Sequence, residues 1–503
     1  MSESSSKAWR CGVCGYVHRE GDAPDWCPVC GADKAEFESY VEQAQPAAAP
    51  PRRWQCLNCN YVHEGPEPPE TCPVCGAPAD RFEAVAQPAV QAVRAAEAGT
   101  VVVVGAGIAG ISAVEATRNA SPDARILVLS KEPDLPYYRL NLTRYLADEI
   151  GRDELPIHPE SWYADHRVDL LCGQEAVELR LDDQAVVLRG GRRIDFDRLV
   201  LTAGAHPFVP PLPGAQRQGV HTLRTCDDAE RLLAAIRPGM TCACIGGGLL
   251  GMEAAGALAR RGLDVTLLEG HDWPMPRQLN RQAGDILARQ VGRKGIQQLV
   301  RARTVDILGD ERVAGVRLED GQTIEADLVL IATGVRPNSY LARQAGLQVN
   351  QGVVVDHYLT SSHPAVLAAG DVAEHRGTLY GSWHAAQHQG SIAGMNAAGG
   401  RVEFGGIPRS NTLKVLGIDL TSIGRFEPED GSDRVVEREA GDVYYRFVFR
   451  DGRLIGSVLL GDASISAPVK RAIESRRDLS GLLAANLTAQ DVIDELSSPP
   501  SAP

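Results

Sequence analysis

The chain has 503 residues, too many for one hydrophobic core, so three or four domains are expected. Its net charge of −14 disfavours nucleic acid and anionic membrane surfaces as partners, since both attract basic faces. The amino terminus is polar and no apolar run reaches the roughly 18–20 residues that cross a bilayer, which excludes a secretory signal and a membrane span.

Eight of the 12 cysteines lie at the amino-terminal end, in one spacing written twice. Cys11, Cys14, Cys27 and Cys30 read C-x2-C-x12-C-x2-C, and Cys56, Cys59, Cys72 and Cys75 repeat it. Four thiolates on two tight knuckles make one tetrahedral metal site, and such pairs in a non-secreted chain indicate metal rather than disulfides, hence a cytoplasmic protein. Each module is too small to bury a core, so the metal must supply much of its folding free energy. Spacing alone suits zinc and iron equally.

The flanking residues repeat as well. Trp9 and Trp54 precede the first cysteines, Tyr16-Val17-His18 and Tyr61-Val62-His63 follow the second, and Cys27-Pro28-Val29-Cys30-Gly31 matches Cys72-Pro73-Val74-Cys75-Gly76. Gly15, Gly31 and Gly76 stand where a knuckle turns, with Asn60 at the fourth such place. These flanks, closed by Phe37 and Phe82, resemble rubredoxin in the compact form found in rubrerythrins. The resemblance implies one iron per module and single-electron transfer. With four thiolates each, the sites are full, so His18 and His63 are read as loop or packing residues. The modules are expected over 7–40 and 53–84. The Ala- and Pro-rich linkers at 41–52 and 85–98 act as tethers that raise local concentration.

The strand Thr100-Val101-Val102-Val103-Val104 runs into Gly105-Ala106-Gly107-Ile108-Ala109-Gly110 and then a helical stretch. Strand, G-x-G-x-x-G and helix form the dinucleotide-binding context: Gly105 makes the turn, Gly107 admits the pyrophosphate, and Gly110 lets the helix pack close. The next strand, Arg125 to Ser130, ends before Glu132, which sits 22 positions past Gly110, where a ribose-binding acid belongs. The pattern recurs with Gly246, Gly248 and Gly251 after strand 240–245, and Glu269 ends its following strand. A carboxylate there accepts ribose hydroxyls and repels a 2′-phosphate, favouring NADH over NADPH. Arg260, Arg261 and Arg277 lie near enough in sequence to weaken that preference. Two such folds call for two dinucleotides, most simply FAD and NADH.

Further segments make a family match. Pro136-Tyr137-Tyr138-Arg139 resembles the P-Y-x-R motif lining the flavin in two-dinucleotide reductases. Segments 199–204 and 330–338, the second containing Gly334, resemble their paired A-T-G strands, and Leu367-Ala368-Ala369-Gly370-Asp371 resembles the second flavin motif. Residues 100–400 therefore resemble the pyridine nucleotide-disulfide reductases, nearest to NADH:rubredoxin reductases, ferredoxin reductases and the NADH-binding part of nitrite reductases. Residues 407–424 resemble the start of their small carboxy-terminal domain. The resemblance implies an α/β fold: two Rossmann-like domains of glutathione-reductase type and a small α+β domain, behind the two knuckle modules. The implied boundaries are 99–215 and 326–402 for FAD, 216–325 for NAD and 403–495 for the last domain. It further implies that Arg139 contacts the flavin or its phosphates, that Asp371 contacts the ribityl chain, and that Trp383, His384, Ala385 and Gln387 lie near the ring, with no role assigned to His384.

Two departures from the family stand out. Leu140 and Asn141 follow Arg139 where proline is usual, and 137–146 contains no cysteine. Cys242 and Cys244 share one strand face and read as packing. Without a redox dithiol, flavin electrons need another outlet, and two tethered iron centres can take one electron each. The resulting reading is an NADH-dependent reductase that passes electrons through FAD to its own iron–tetrathiolate centres. They then go to a flavodiiron, rubrerythrin-like or hydroxylase acceptor, with a carboxy-terminal domain able to support a homodimer. In the alternative, the knuckles are structural zinc ribbons that dock a partner.

Overall fold

A computed structural model describes residues 8–11, 17–18, 23, 33–40, 52–57, 61–73, 77–85, 99–407, 410–413, 416–483 and 486–497. Two parallel five-stranded sheets form its centre. In the first, Val366–Ala368, Arg198–Leu201, Thr100–Val104, Arg125–Leu129 and Val168–Leu171 lie in that order. In the second the order is Val220–His221, Leu328–Ile331, Thr241–Ile245, Asp264–Leu268 and Gln297–Leu299. Near-continuous Val, Ile and Leu suit strands covered on both faces. In each sheet the strand that feeds the glycine turn is central. An antiparallel pair, Ala205–Pro207 with Val335–Pro337, joins the segments that leave the two sheets.

The first sheet is covered by helix Ile108–Ala120, which lies on helix Trp383–Ala397. Their backbones nearly touch: a Cβ on Gly390 would meet the Ala109 carbonyl, and one on Gly394 the Ala113 carbonyl. Thr117 Oγ1 donates to the Gly394 carbonyl across this contact at 3.1 Å. Small residues thus fix the second helix on the first, and with it Trp383 at its amino-terminal end.

The last domain is a five-stranded antiparallel sheet, Ser410–Leu413, Leu420–Gly424, Arg453–Leu460, Val443–Arg450 and Arg434–Ala440, with helices Ser466–Glu474 and Ala489–Ser497. Leu420, Tyr444, Val458 and Leu460 share one core with Cys242, Cys244 and Leu267 of the second parallel sheet. The two sheets are therefore packed as one body.

Each knuckle module shows the same three-stranded antiparallel sheet. Ala8–Cys11 lies between Val17–His18 and Phe37–Tyr40, and Arg52–Cys56 between Val62–Gly65 and Phe82–Val85. The repeat holds at residue level: Trp9 pairs with His18 as Trp54 does with His63, and Cys11 with Phe37 as Cys56 with Phe82. His63 is accordingly a ladder residue. Among the described residues no helix is long and apolar enough to cross a membrane.

Candidate functional site: a two-nucleotide cavity beside a knuckle

Both glycine turns are built alike. Gly105 has φ of +108° and Gly246 +113°, which L-residues rarely adopt. A Cβ at either would run into the strand behind, at the carbonyls of Thr202 and Ala332. Gly110 and Gly251 are equally tight against the Gly105 and Gly246 carbonyls, whereas nothing lies within 4 Å of a Cβ on Gly107 or Gly248. The middle glycines thus open a cradle at the amino termini of helices Ile108–Ala120 and Leu249–Arg260. That arrangement suits pyrophosphate.

The cradles open into one cavity of about 1290 Å³. A single-ligand pocket usually measures roughly 300–1,000 Å³, so this volume suits two nucleotides end to end. Gly105, Gly107, Glu132, Arg139, Gly246, Gly248, Glu269, Gly334, Gly370 and Asp371 all line it. Gly110 and Gly251 stand behind, as helix-packing glycines should.

Charged groups are fixed around the cavity. Glu269 Oε2 accepts from the Gly247 amide at 3.0 Å and Oε1 from the His271 amide at 2.9 Å. Glu132 accepts from Tyr137 Oη and Arg139 Nη2, both at 2.6 Å. Its carboxylate therefore also positions the P-Y-x-R segment. Burial opposes the Arg139 charge, but Tyr137 and Glu132 hold its pKa above the ordinary arginine value. Arg139 also donates to the Arg224 carbonyl, and Arg224 Nη2 pairs with Asp371 Oδ2 at 2.8 Å. Sequence reading missed Arg224: 147 positions separate it from Asp371, and no motif marks it.

The far wall carries Trp383. Ser382 Oγ accepts from the Ala385 amide at 3.4 Å and starts its helix. Trp383 Nε1 is buried without a hydrogen-bond partner, as is Gln389 Nε2, while Gln389 Oε1 accepts from the Gly370 amide at 2.8 Å. His384, next in the chain, is kept neutral: burial, then Lys470 and His388, lower its pKa to about 3.

The second knuckle module packs directly on this wall. Cys56, Cys72, Ala77 and Phe82 form one apolar cluster with Tyr138, against which Trp54, Tyr61, Ile157 and Trp383 also pack. Cys56 and Cys72 are 0% and 1% exposed. Their amides donate to the Tyr61 and Ala77 carbonyls, each at 2.7 Å, closing the two knuckle turns. The Tyr138 ring lies 6.0 Å from Tyr61, edge to face, and 5.5 Å from Trp383. Asn141 Nδ2 donates to the Pro73 carbonyl at 2.6 Å. Thus the residue standing near the family's usual proline holds the module in place. Farther out, Arg471 pairs with Glu83 at 2.8 Å and Arg81 donates to the Ser464 carbonyl.

Cys14, Cys27, Cys30, Cys59 and Cys75 lie outside the described residues, as do Gly15, Gly31, Asn60 and Gly76; of Cys11 only the backbone is described. The described pair, Cys56 and Cys72, are the first cysteines of the two knuckles, and their burial fits thiolates turned towards a metal. The remaining thiols fit packing. Cys242 and Cys244 sit in one core while Ala243 and Ile245, which alternate with them along the strand, face another. Burial raises both thiols, Cys244 to about 12, and raises Cys226 to about 11.

Comparison with known proteins agrees with this geometry. Residues 99–390 match the pyridine nucleotide-disulphide oxidoreductase family, 410–477 the rubredoxin NAD+ reductase C-terminal domain, and 9–38 and 54–83 the rubrerythrin, rubredoxin-like domain. The chain belongs to the pyridine nucleotide-disulphide oxidoreductases, with two rubredoxin-like domains and a rubredoxin-reductase-type carboxy-terminal domain. It is 33% identical over 382 residues to a nitrite reductase [NAD(P)H] of Bacillus subtilis, covering 75% of this chain and 48% of that one. It is 27% identical over 382 residues to an NADH-rubredoxin oxidoreductase of Clostridium acetobutylicum, covering 76% of this chain and 96% of that one. Its fold matches the covalent putidaredoxin reductase–putidaredoxin complex with a TM-score of 0.72 at 25% identity, over 80% of this chain and 99% of that one. The chain spans about half the length of the nitrite and nitrate reductase relatives that it matches.

Proposed function

We propose that the chain is an NADH-dependent flavoprotein reductase that delivers electrons to its own rubredoxin-like domains and from there to an external acceptor. The observation that carries this reading is the continuous packing from cavity to knuckle: Trp383 lines the cavity, Tyr138 packs on Trp383, and Cys56 and Cys72 pack with Tyr138. A partner-docking zinc ribbon has no need of its thiolates at that place.

The first cradle, Arg139 and Asp371 would hold FAD; the second cradle and Glu269 would hold NADH. FAD held there would supply redox coupling between a two-electron nicotinamide donor and one-electron acceptors, and the four thiolates of each module would hold iron. The chain's own residues do the positioning. Gly107 and Gly248 admit the phosphates, Arg224 braces Asp371, and Tyr138, packed by the docked module, covers the cavity wall and keeps water from it. The test is stopped-flow mixing with one NADH equivalent after metal analysis. Iron in both modules and a red iron–thiolate band that bleaches after the flavin are expected. Two zincs per chain, or a band that stays unbleached, would remove the electron-transfer role. Changing Cys11 and Cys14 to Ser then asks whether both modules accept: a fast phase that keeps its full amplitude, with the second module's iron fully reduced, would refute one electron for each. The reading of a cytoplasmic location rests on the same thiolate chemistry.

A further inference from the structure

The two modules share nearly every residue that the docked one uses. Tyr61, Pro73, Ala77, Phe82 and Glu83 stand at the places of Tyr16, Pro28, Ala32, Phe37 and Glu38. The Asn141 bond to a proline carbonyl and the Arg471–Glu83 pair are therefore open to either module by sequence. One contact is not. Arg81 corresponds to Glu36, a reversal of charge. Around it, Asp33 and Lys34 stand for Pro78 and Ala79, a pair whose charges cancel, and Ala35 for Asp80.

Arg81 faces an acceptor-rich corner of the last domain. Its guanidinium donates to the Ser464 carbonyl. Nearby Asp462 is held below the ordinary carboxylate range, against its own burial, by Tyr445, by Ser464 and by Arg81. A glutamate in the same pose would set a carboxylate against a carbonyl and another carboxylate, replacing a favourable contact at this exposed corner with repulsion.

We propose that the flavoprotein face formed by Tyr138, Asn141, Ser464 and Arg471 is reserved for the second module, and that position 81, Arg in one repeat and Glu at the matching position 36 of the other, is the discriminator. The first module is excluded from that face by charge rather than by shape, which leaves its equivalent surface for a separate acceptor. The proposal concerns docking alone and holds whether the metal is iron or zinc, so its failure is separate from failure of the reductase reading.

Hydrogen–deuterium exchange on the full chain tests it. Arg81→Glu should speed exchange over 136–146 and 462–471 about two- to fivefold, the scale of an exposed charge contact. Adding Glu36→Arg to that variant should restore protection, and Arg81→Lys should retain most of it. Glu36→Arg alone leaves the second module intact and should move protection onto 33–40 at the expense of 78–85. Unchanged exchange in Arg81→Glu, a double variant as open as the single one, or no gain at 33–40 in Glu36→Arg would overturn the proposal.

Discussion

Asn141 Nδ2 lies 2.6 Å from the Pro73 carbonyl oxygen, and this one bond ties the flavin-side loop to a knuckle of the second module. Asn141 is 1% exposed, so the bond is shielded from water. Removing it leaves a carbonyl unsatisfied at about 1–3 kcal/mol. Asn141→Leu should therefore slow reduction of the second module's metal by roughly tenfold or more while NADH still reduces the flavin at the parental rate. Stopped-flow traces at flavin and iron–thiolate wavelengths separate the two steps.

Tyr138 fills the gap between knuckle and cavity. Tyr138→Ala would open that gap to water and cost stability on the scale of about 3–5 kcal/mol for a large buried aromatic. Tyr138→Phe keeps the packing. The expected order for metal reduction is parent close to Phe and far above Ala, measured under single turnover with flavin content held equal. Equal rates in all three would show that electrons leave elsewhere.

Arg224 holds Asp371 at 2.8 Å, with both side chains about one-fifth exposed. Arg224→Met leaves Asp371 without its cation beside the flavin cradle. Purified protein should carry less flavin per chain and lose it faster on dilution, whereas Arg125→Met should change neither, since the Arg125–Asp169 pair is well exposed and lies away from the cavity. The flavin-to-protein ratio is the readout.

His384 sets a pH dependence of known sign. Burial and the Lys470 charge lower its folded pKa from 6.5 to about 3, so the unfolded chain binds the extra proton first. Stability contributed by neutral His384 is complete above about 6.5 and falls as pH drops towards 3. Between pH 5 and 6.5 a His384→Gln variant should show a flatter dependence of unfolding midpoint on pH, by up to about one proton. Parallel curves for variant and parent would show that His384 does not titrate on unfolding.

What could be read in the sequence was local. Gly105, Gly107 and Gly110 announce a cradle because backbone sterics at a strand–helix turn admit few residues, and alternation along a strand placed Cys242 and Cys244 on one face. The paired knuckles were legible for the same reason, and their ladders share one register. Contacts between distant segments were not legible. Arg224 and Asp371 meet across 147 positions, and Asn141, noted only as a departure from the family, finds a backbone carbonyl that no side-chain pattern signals. Glu132 lies in the loop after strand Arg125–Leu129, and its carboxylate serves Tyr137 and Arg139 within the protein, a use that depends on how that loop folds back.

The core shared by Leu420, Tyr444, Val458 and Leu460 with Cys242 and Cys244 gives the molecule a mechanical property. The sheet carrying the second cradle and the domain carrying Ser464 and Arg471 cannot tilt independently. Any closure of the nicotinamide half over its nucleotide would be transmitted, as one lever, to the wall against which the second knuckle rests. That body meets the first sheet at the antiparallel pair Ala205–Pro207 and Val335–Pro337, and Tyr137, Leu142, Leu146 and Leu155 of the flavin side share its core.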